Sequence, residues 1–465
     1  MKEVQTLGVL PIGRPTFDVG FAEEKLAAML TVLEATGKSL IGPGELLMDA
    51  NTAEAAMDGL EAAAPDAVLI LQVTFTDAAV TARIAERFDQ PLSIWAVPEP
   101  RLGGRLRLNA FCGLNLASHA LGLNGRPFSW IYADPTSNRI GEELTALLSG
   151  QRLVAPIAAR SAGTDPAAGG VYADRLKGLR IGRLGEHPGG FDTCRYDKER
   201  LRNLTGMDVD ELVLDDLFER ARGVPEAGVD AVRATAEHDV VGLETVDQDQ
   251  LDRSLRLRAA MEMIREGGQY DAFAIRCWPE TFTEYGGAVC GPVAMLGEAR
   301  VPCACEADVY GAATQLMLQT VADAPVFLAD IVDMDTEDDT GVLWHCGQAP
   351  MSMADPDVPA EATIHTNRKM PLLYQFPLKP GRVTLLRLSQ AHGLHKMILA
   401  SGEMQKRPMA FTGTSGVVRF DRPVSQVLPD IMNSGLEHHM ALAYGDHTDA
   451  LLAAAAALDL PVIRL

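Results

Sequence analysis

Short apolar runs alternate with segments whose apolar residues recur at helical spacing through the first third of the chain. "TLGVLPIG" is a run of the first kind, and "FAEEKLAAMLTVLEATG", ending at Gly37, is of the second. "DAVLILQ" predicts a buried strand, and "TDAAVTARIAERF" predicts a helix that starts at a Thr or Asp cap. "PLSIWAVPEP", the helical stretch around "NLASHALGL", and "FSWIYADP" continue the order. Repeated strand–helix units predict a parallel sheet covered on both faces.

The stretch "SGQRLVAPIAARSAGTDPAAGG" breaks this texture, its second half being rich in Gly, Pro and Ala, and sets a boundary near 165. Alternation resumes with "LKGLRIGRLG", the helix "DQLDRSLRLRAAMEMIREGG" and the strand "YDAFAIRCWPE". From about 335 the pattern changes to strand-like runs separated by turns: "GVLWHC", "RVTLLRLS", "HKMILASGE", "PMAFTGTSGVVRF" and "HHMALAYGD". The pattern therefore predicts an α/β domain over residues 1–165, a second over 166–335, and a β-rich C-terminal domain over 336–465.

A chain of 465 residues exceeds what one hydrophobic core serves, which agrees with this division. Its 63 acidic against 41 basic residues, a net charge of −22, disfavour a nucleic-acid backbone or an anionic membrane as the main partner and leave a small molecule. The cysteines at 112, 194, 277, 290, 303, 305 and 346 form an odd set without a regular framework. With no secretory leader read before "TLGVLPIG", the expectation is reduced thiols in a cytoplasm. No apolar run approaches the roughly 18–20 residues that span a bilayer. The absence of G-x-x-x-x-G-K-[ST], and of a G-x-G-x-x-G after the first strand, argues against nucleotide chemistry.

Candidate chemistry gathers late in the chain. "EADVYGAATQLMLQTVA" opens on Glu306 and Asp308, which the helix dipole favours at a helix N-terminus. Asp330 ends the apolar strand "PVFLAD", read as a parallel-type strand, where α/β sheets place ligands beyond the strand carboxyl ends. The following "DIVDMDTEDD" reads as a solvated loop. His345 lies at a second strand end, and "EHH" places His438 and His439 before another strand; alternation would let one of the two face a given site. A His/Glu/Asp set suits an oxygen-rich divalent site for Mn²⁺, with Mg²⁺ or Co²⁺ as alternatives. Arg14, Arg276 and Lys396 are the candidates for recognising an anionic group on a sugar.

With "CWPE", "CEADVYGA", "LADIVDMD", "WHCG" and "GLEHHMALAYGD" in that order, the chain resembles the superfamily of L-fucose and L-arabinose isomerases, closest to its fucose-isomerase-like members. The resemblance implies two Rossmann-like parallel-sheet α/β domains followed by a β-rich, barrel-like C-terminal domain, with a metal site between the second and third. It implies a homotrimer or homohexamer in which a neighbour's N-terminal domain completes the pocket. Carried over by position, it implies Glu306 and Asp330 as the catalytic carboxylates and metal ligands. It further implies His439 as a ligand with His438 as the alternative, His345 as a ligand of the arabinose branch, and Arg14, Trp278 and His438 against substrate. The implied reaction is aldose–ketose isomerisation of an open-chain sugar through an enediol. A metal-dependent aldolase or epimerase, and a non-catalytic sugar binder, are the alternatives.

Overall fold

The computed structural model describes residues 4–465. Strands β1 (Thr6–Ile12), β2 (Ser39–Ile41), β3 (Ala67–Gln72), β4 (Leu92–Ala96) and β5 (Ser129–Tyr132) form a sheet of order β2-β1-β3-β4-β5 in which every pairing is parallel. β3 and β4 are buried along their whole length, which is why they read as continuous apolar runs. The order reverses between β1 and β3, and in such sheets ligands bind outside the strand carboxyl ends at that point. Arg14 follows β1 there, its backbone N–H donating to Thr74 Oγ1 beyond β3 (2.9 Å).

Four parallel strands make the second sheet: β6 (Arg180–Leu184), β7 (Asp208–Leu212), β8 (Ala272–Ile275) and β9 (Cys303–Ala304), in the order β7-β6-β8-β9. Trp278 follows the carboxyl end of β8, and Glu306 follows that of β9.

The third sheet is built from β10 (Phe327–Asp335), β11 (Thr340–His345), β12 (Glu361–Thr363), β13 (Leu373–Pro377), β14 (Gly381–Ser389), β15 (Lys396–Met404), β16 (Thr414–Phe420), β17 (His439–Tyr444) and β18 (Val462–Arg464). Its order is β12-β13-β16-β11-β10-β17-β14-β15-β18, and β15 pairs also with β16. The run β16-β11-β10-β17-β14-β15 is antiparallel throughout, and the extra pairing returns it to its starting strand. The molecule is thus mixed α/β, with two parallel sheets and one large mixed sheet. Among the described residues no helix is long and apolar enough to cross a membrane.

The helix Val309–Ala322 lies between the second and third sheets, against β8 on one side and against β14 and β17 on the other. Burial on both sides explains why its positions 309–318 carry no charged side chain. Two sequence expectations need correction here. The strand carrying Asp330 pairs antiparallel with β11 and β17 and continues to Asp335, so Asp330 sits inside a strand of the third sheet rather than at the end of a parallel one. Nor is "DIVDMD" a solvated loop. Asp333 is buried, accepting from Arg101 Nε (2.6 Å) and Tyr132 Oη (2.6 Å), which ties the third sheet to the first. Acidic content alone suggested a loop; two long-range donors make a buried acid tolerable.

Candidate active site

One cavity collects the ends of all three sheets. Arg14, Thr16, Phe17 and Phe75 line it from the first, Cys277, Trp278 and Glu306 from the second, and Asp330, Trp344, His345, Cys346, Arg368 and His438 from the third region of the chain. A larger depression between the helices Val19–Glu34 and Ile140–Leu148 is lined, among the described residues, by a single titratable group, Lys38.

Glu306 is held by its backbone as well as its side chain. It adopts φ +58°, and Ala307 follows at +53°, a left-handed pair that costs side-chain-bearing residues energy and persists at functional sites. This turn aims the carboxylate into the cavity, where Trp278 Nε1 donates to Oε1 (3.1 Å) and His438 Nε2 lies 2.8 Å from Oε2. Burial pushes the Glu306 carboxyl up, but the His438 hydrogen bond, the histidine charges and Trp278 hold it below its ordinary value. Asp330 has the opposite balance: burial raises it to about 6 against the pull of His345 and His439. Two neighbouring carboxylates are thereby pushed apart, the condition for dividing base and acid roles between them.

Both histidines of "EHH" reach this site. His438 lies in a bend ahead of β17, which begins at His439, so strand alternation does not separate them. The rings pack with centroids 3.8 Å apart. His439 Nε2 lies 3.4 Å from Asp330 Oδ1 and 3.9 Å from Glu306 Oε2. Its Nδ1 lies 2.9 Å from Asp308 Oδ2, an orienting contact that fixes which ring nitrogen faces the cavity. Asp308 does cap the helix, accepting from the Gly311 N–H (2.8 Å), and Arg387 clamps it at 2.5 and 3.1 Å. That guanidinium and His439 hold the Asp308 carboxyl well below the usual range despite complete burial. Capping was visible in the sequence; the role of Asp308 in holding His439 was not, because the two are 131 residues apart.

A divalent cation fits the residues present. Facing ligand atoms of Asp330, His345 and His439 lie within 4.8 Å of one another, as do those of Cys194, Glu306, His438 and His439. Asp330 Oδ1 and His345 Nε2 are buried without a hydrogen-bond partner, while His345 Nδ1 accepts the Cys346 N–H (2.9 Å) and leaves Nε2 to face inward. Buried orphan atoms of this donor set are what a cation would satisfy.

Arg14, Trp278 and His438 line the cavity as expected by position; Arg276 and Lys396 do not. Arg276 donates to Glu280 (2.6 Å), and Lys396 is buried with Glu437 as its nearby opposite charge. Arg368 and Cys194 escaped sequence reading, since neither belongs to a motif and only the fold brings them here.

The family model for the fucose/sulfoquinovose isomerase N-terminal domain matches residues 8–158, and that for the L-fucose isomerase C-terminal domain matches residues 343–465. A sulfoquinovose isomerase of Priestia aryabhattai is 30% identical over 96% of this chain and 96% of its own. The chain belongs to the fucose isomerase family. Further relatives are sulfoquinovose isomerases of Alkalicoccus urumqiensis, 31% identical over 99% of both chains, and of Clostridium sp. (strain MSTE9), 30% identical over 99% of both. A solved structure, the first ketoreductase of the tylosin PKS, superposes with a TM-score of 0.26 at 16% identity over 65% of this chain and 79% of that one, too distant to bear on the site. As a member of the fucose isomerase family this chain is an aldose–ketose isomerase, a family whose chemistry in general uses a metal.

Proposed function

We propose that this fucose-isomerase family member interconverts sulfoquinovose, a glucose with a sulfonate in place of its C6 hydroxyl, and the corresponding ketose. The observation that carries this reading is the Glu306 and Asp330 carboxylates lining one cavity with His345 and His438, with His439 Nε2 3.4 Å from Asp330 and 3.9 Å from Glu306. The substrate follows from the sulfoquinovose isomerases that align along nearly the whole chain.

Asp330, His345 and His439 would hold a divalent cation such as Mn²⁺, with Glu306 beside them, and the ion would supply Lewis-acid polarisation of the sugar carbonyl. Glu306, kept ionised by its histidine and tryptophan partners, takes the proton from C2 of the open-chain aldose and returns it to C1. Trp278 and His438 each hold one of its oxygens, so the carboxylate keeps one orientation through both transfers. Asp330 serves the hydroxyl proton that moves between O1 and O2. Phe75 and Phe191 pack around Trp278 and His438, giving the site an apolar wall that limits water.

The direct test is a metal-stripped and Mn²⁺-restored assay of a panel of aldoses including sulfoquinovose, followed by NMR in D₂O. A metal-restored ketose of equal mass is expected. Shorter fragments would indicate aldol cleavage instead, and binding without conversion would indicate a sugar binder. A second expectation concerns the ion itself. Asp330→Asn weakens Mn²⁺ binding by more than about 100-fold, beyond the usual effect of losing an outer partner, as read by chelator competition and metal content.

A further inference from the structure

One part of the cavity wall carries an arginine that the protein leaves without a carboxylate partner. This is Arg368, and among the described residues its guanidinium donates to no acceptor and pairs with no carboxylate. In a chain of net charge −22 acids are plentiful, yet among the described residues none forms an ion pair with this group. Burial and the neighbouring charge of Arg14 act against its charge, outweighing the favourable pull of the Cys277 and Cys346 sulfurs. Arg14 shares the same indole: the two guanidinium carbons lie 5.3 Å (Arg14) and 5.4 Å (Arg368) from the Trp278 ring centroid. Arg14 is half-satisfied, its Nη2 bonded to Asp77 at 2.8 Å.

The loop carrying Arg368 is positioned rather than loose. His365 Nδ1 accepts the N–H groups of Asn367 and Arg368 at 3.2 Å each. Arg105 donates to Asn367 Oδ1 (3.0 Å) and to Thr16 O (2.6 Å), which pins this loop beside the one bearing Arg14. The same indole donates from Nε1 to Glu306 Oε1 at 3.1 Å. One side chain therefore touches both the two arginines and the Glu306 carboxylate.

We propose that Arg368, assisted by Arg14, is the specificity-determining subsite for a tetrahedral oxyanion at the far end of an aldose whose C1 and C2 lie at Glu306 and Asp330. This rests on the isomerase reading above and names the part of the site that selects its substrate. A guanidinium fork matches two oxygens of a sulfonate or phosphate ester, and a half-buried one without a protein partner is poised to take them from a ligand. Trp278 supplies the platform that keeps both forks in place.

The test compares kcat/KM of the wild type, Arg368→Gln, Arg368→Lys and Arg14→Gln on sulfoquinovose, glucose 6-phosphate and the neutral 6-deoxyglucose. For Arg368→Gln the preference for the anionic sugar over the neutral one is expected to fall about 10- to 100-fold, carried mostly by KM, with Lys restoring part of it. Preference for sulfoquinovose over the phosphate in the wild type assigns the anion as sulfonate; the reverse assigns a phosphate ester. Calorimetry of sulfoquinovose in a Glu306→Gln background, where binding is read without turnover, separates the two readings. Binding abolished by Arg368→Gln, in a protein whose wild type converts none of these sugars, would sustain the subsite and overturn the isomerase assignment. Conversion by the wild type with preference and binding unmoved in both arginine variants would overturn the subsite alone.

Discussion

Glu306→Gln is expected to lower kcat by about 10³-fold or more, the scale of removing a positioned proton-transfer group, while leaving the fold in place. The two halves of this expectation come from different features. Activity falls because glutamine has no basic oxygen for the C2 proton, and no other side chain in the cavity combines ionisation with the hydrogen bonds from Trp278 and His438. Folding survives because the amide has the shape of the carboxylate and the left-handed backbone at φ +58° is no harder for Gln than for Glu. Trp278 Nε1 keeps an oxygen to donate to, and His438 Nε2 accepts from the new amide by a change of tautomer. Circular dichroism and thermal unfolding close to wild type, together with lost exchange of the C2 proton in D₂O, form the expected pair of results. Wild-type turnover by Glu306→Gln would remove Glu306 from the mechanism.

The largest stability effect is expected at Arg387, not at a residue that touches sugar. Its side chain is 0% exposed and sits between two equally buried acids, Asp308 at 2.5 Å and Glu437 at 3.8 Å. A further hydrogen bond reaches Thr193 O (3.2 Å). Arg387→Leu removes the guanidinium that both acids share, leaving Asp308 with His439 and Glu437 with the more distant Lys396, a loss of a buried ion-pair partner that typically costs about 3–5 kcal/mol. The midpoint of denaturant unfolding should drop accordingly. Arg387→Leu combined with Asp308→Asn should be less destabilised than the two single changes summed, because the second removes a charge that the first has left without its guanidinium. The same cluster orients His439 through Asp308, so Arg387→Leu is also expected to weaken Mn²⁺ binding. A simple additive loss with metal affinity unchanged would show that the cluster serves packing alone.

Much of the site was legible because its residues lie in compact local motifs. "CEADVYGA", "WHCG" and "GLEHH" each hold a group that the structure brings to the cavity, and the acids and histidines were named from those words. What misled was local logic applied where the fold does something else. The period-two rule made His438 and His439 look mutually exclusive, yet His438 stands before the strand. The position of Asp330 after "PVFLA" suggested a parallel strand end, whereas the strand runs on and pairs antiparallel. Arg276 and Lys396 were as plausible by type as Arg368, but each has an acid of its own nearby.

The sequence by itself determined most of the strands and helices, since these follow from periodicity and turn residues within a few positions of each other, the acidic continuation of β10 past Asp330 being an exception. It also determined the chemical inventory: the acids, imidazoles and arginines that a sugar isomerase can draw on. The tertiary structure alone decided which members of that inventory meet. His438 finds Glu306 across 132 residues, His439 finds Asp308 across 131, and Arg14 and Arg368 find one indole from separate sheets. Such contacts depend on strand order, register and the stacking of three sheets, which are set by the packing of the whole chain and leave no mark in any short stretch of it.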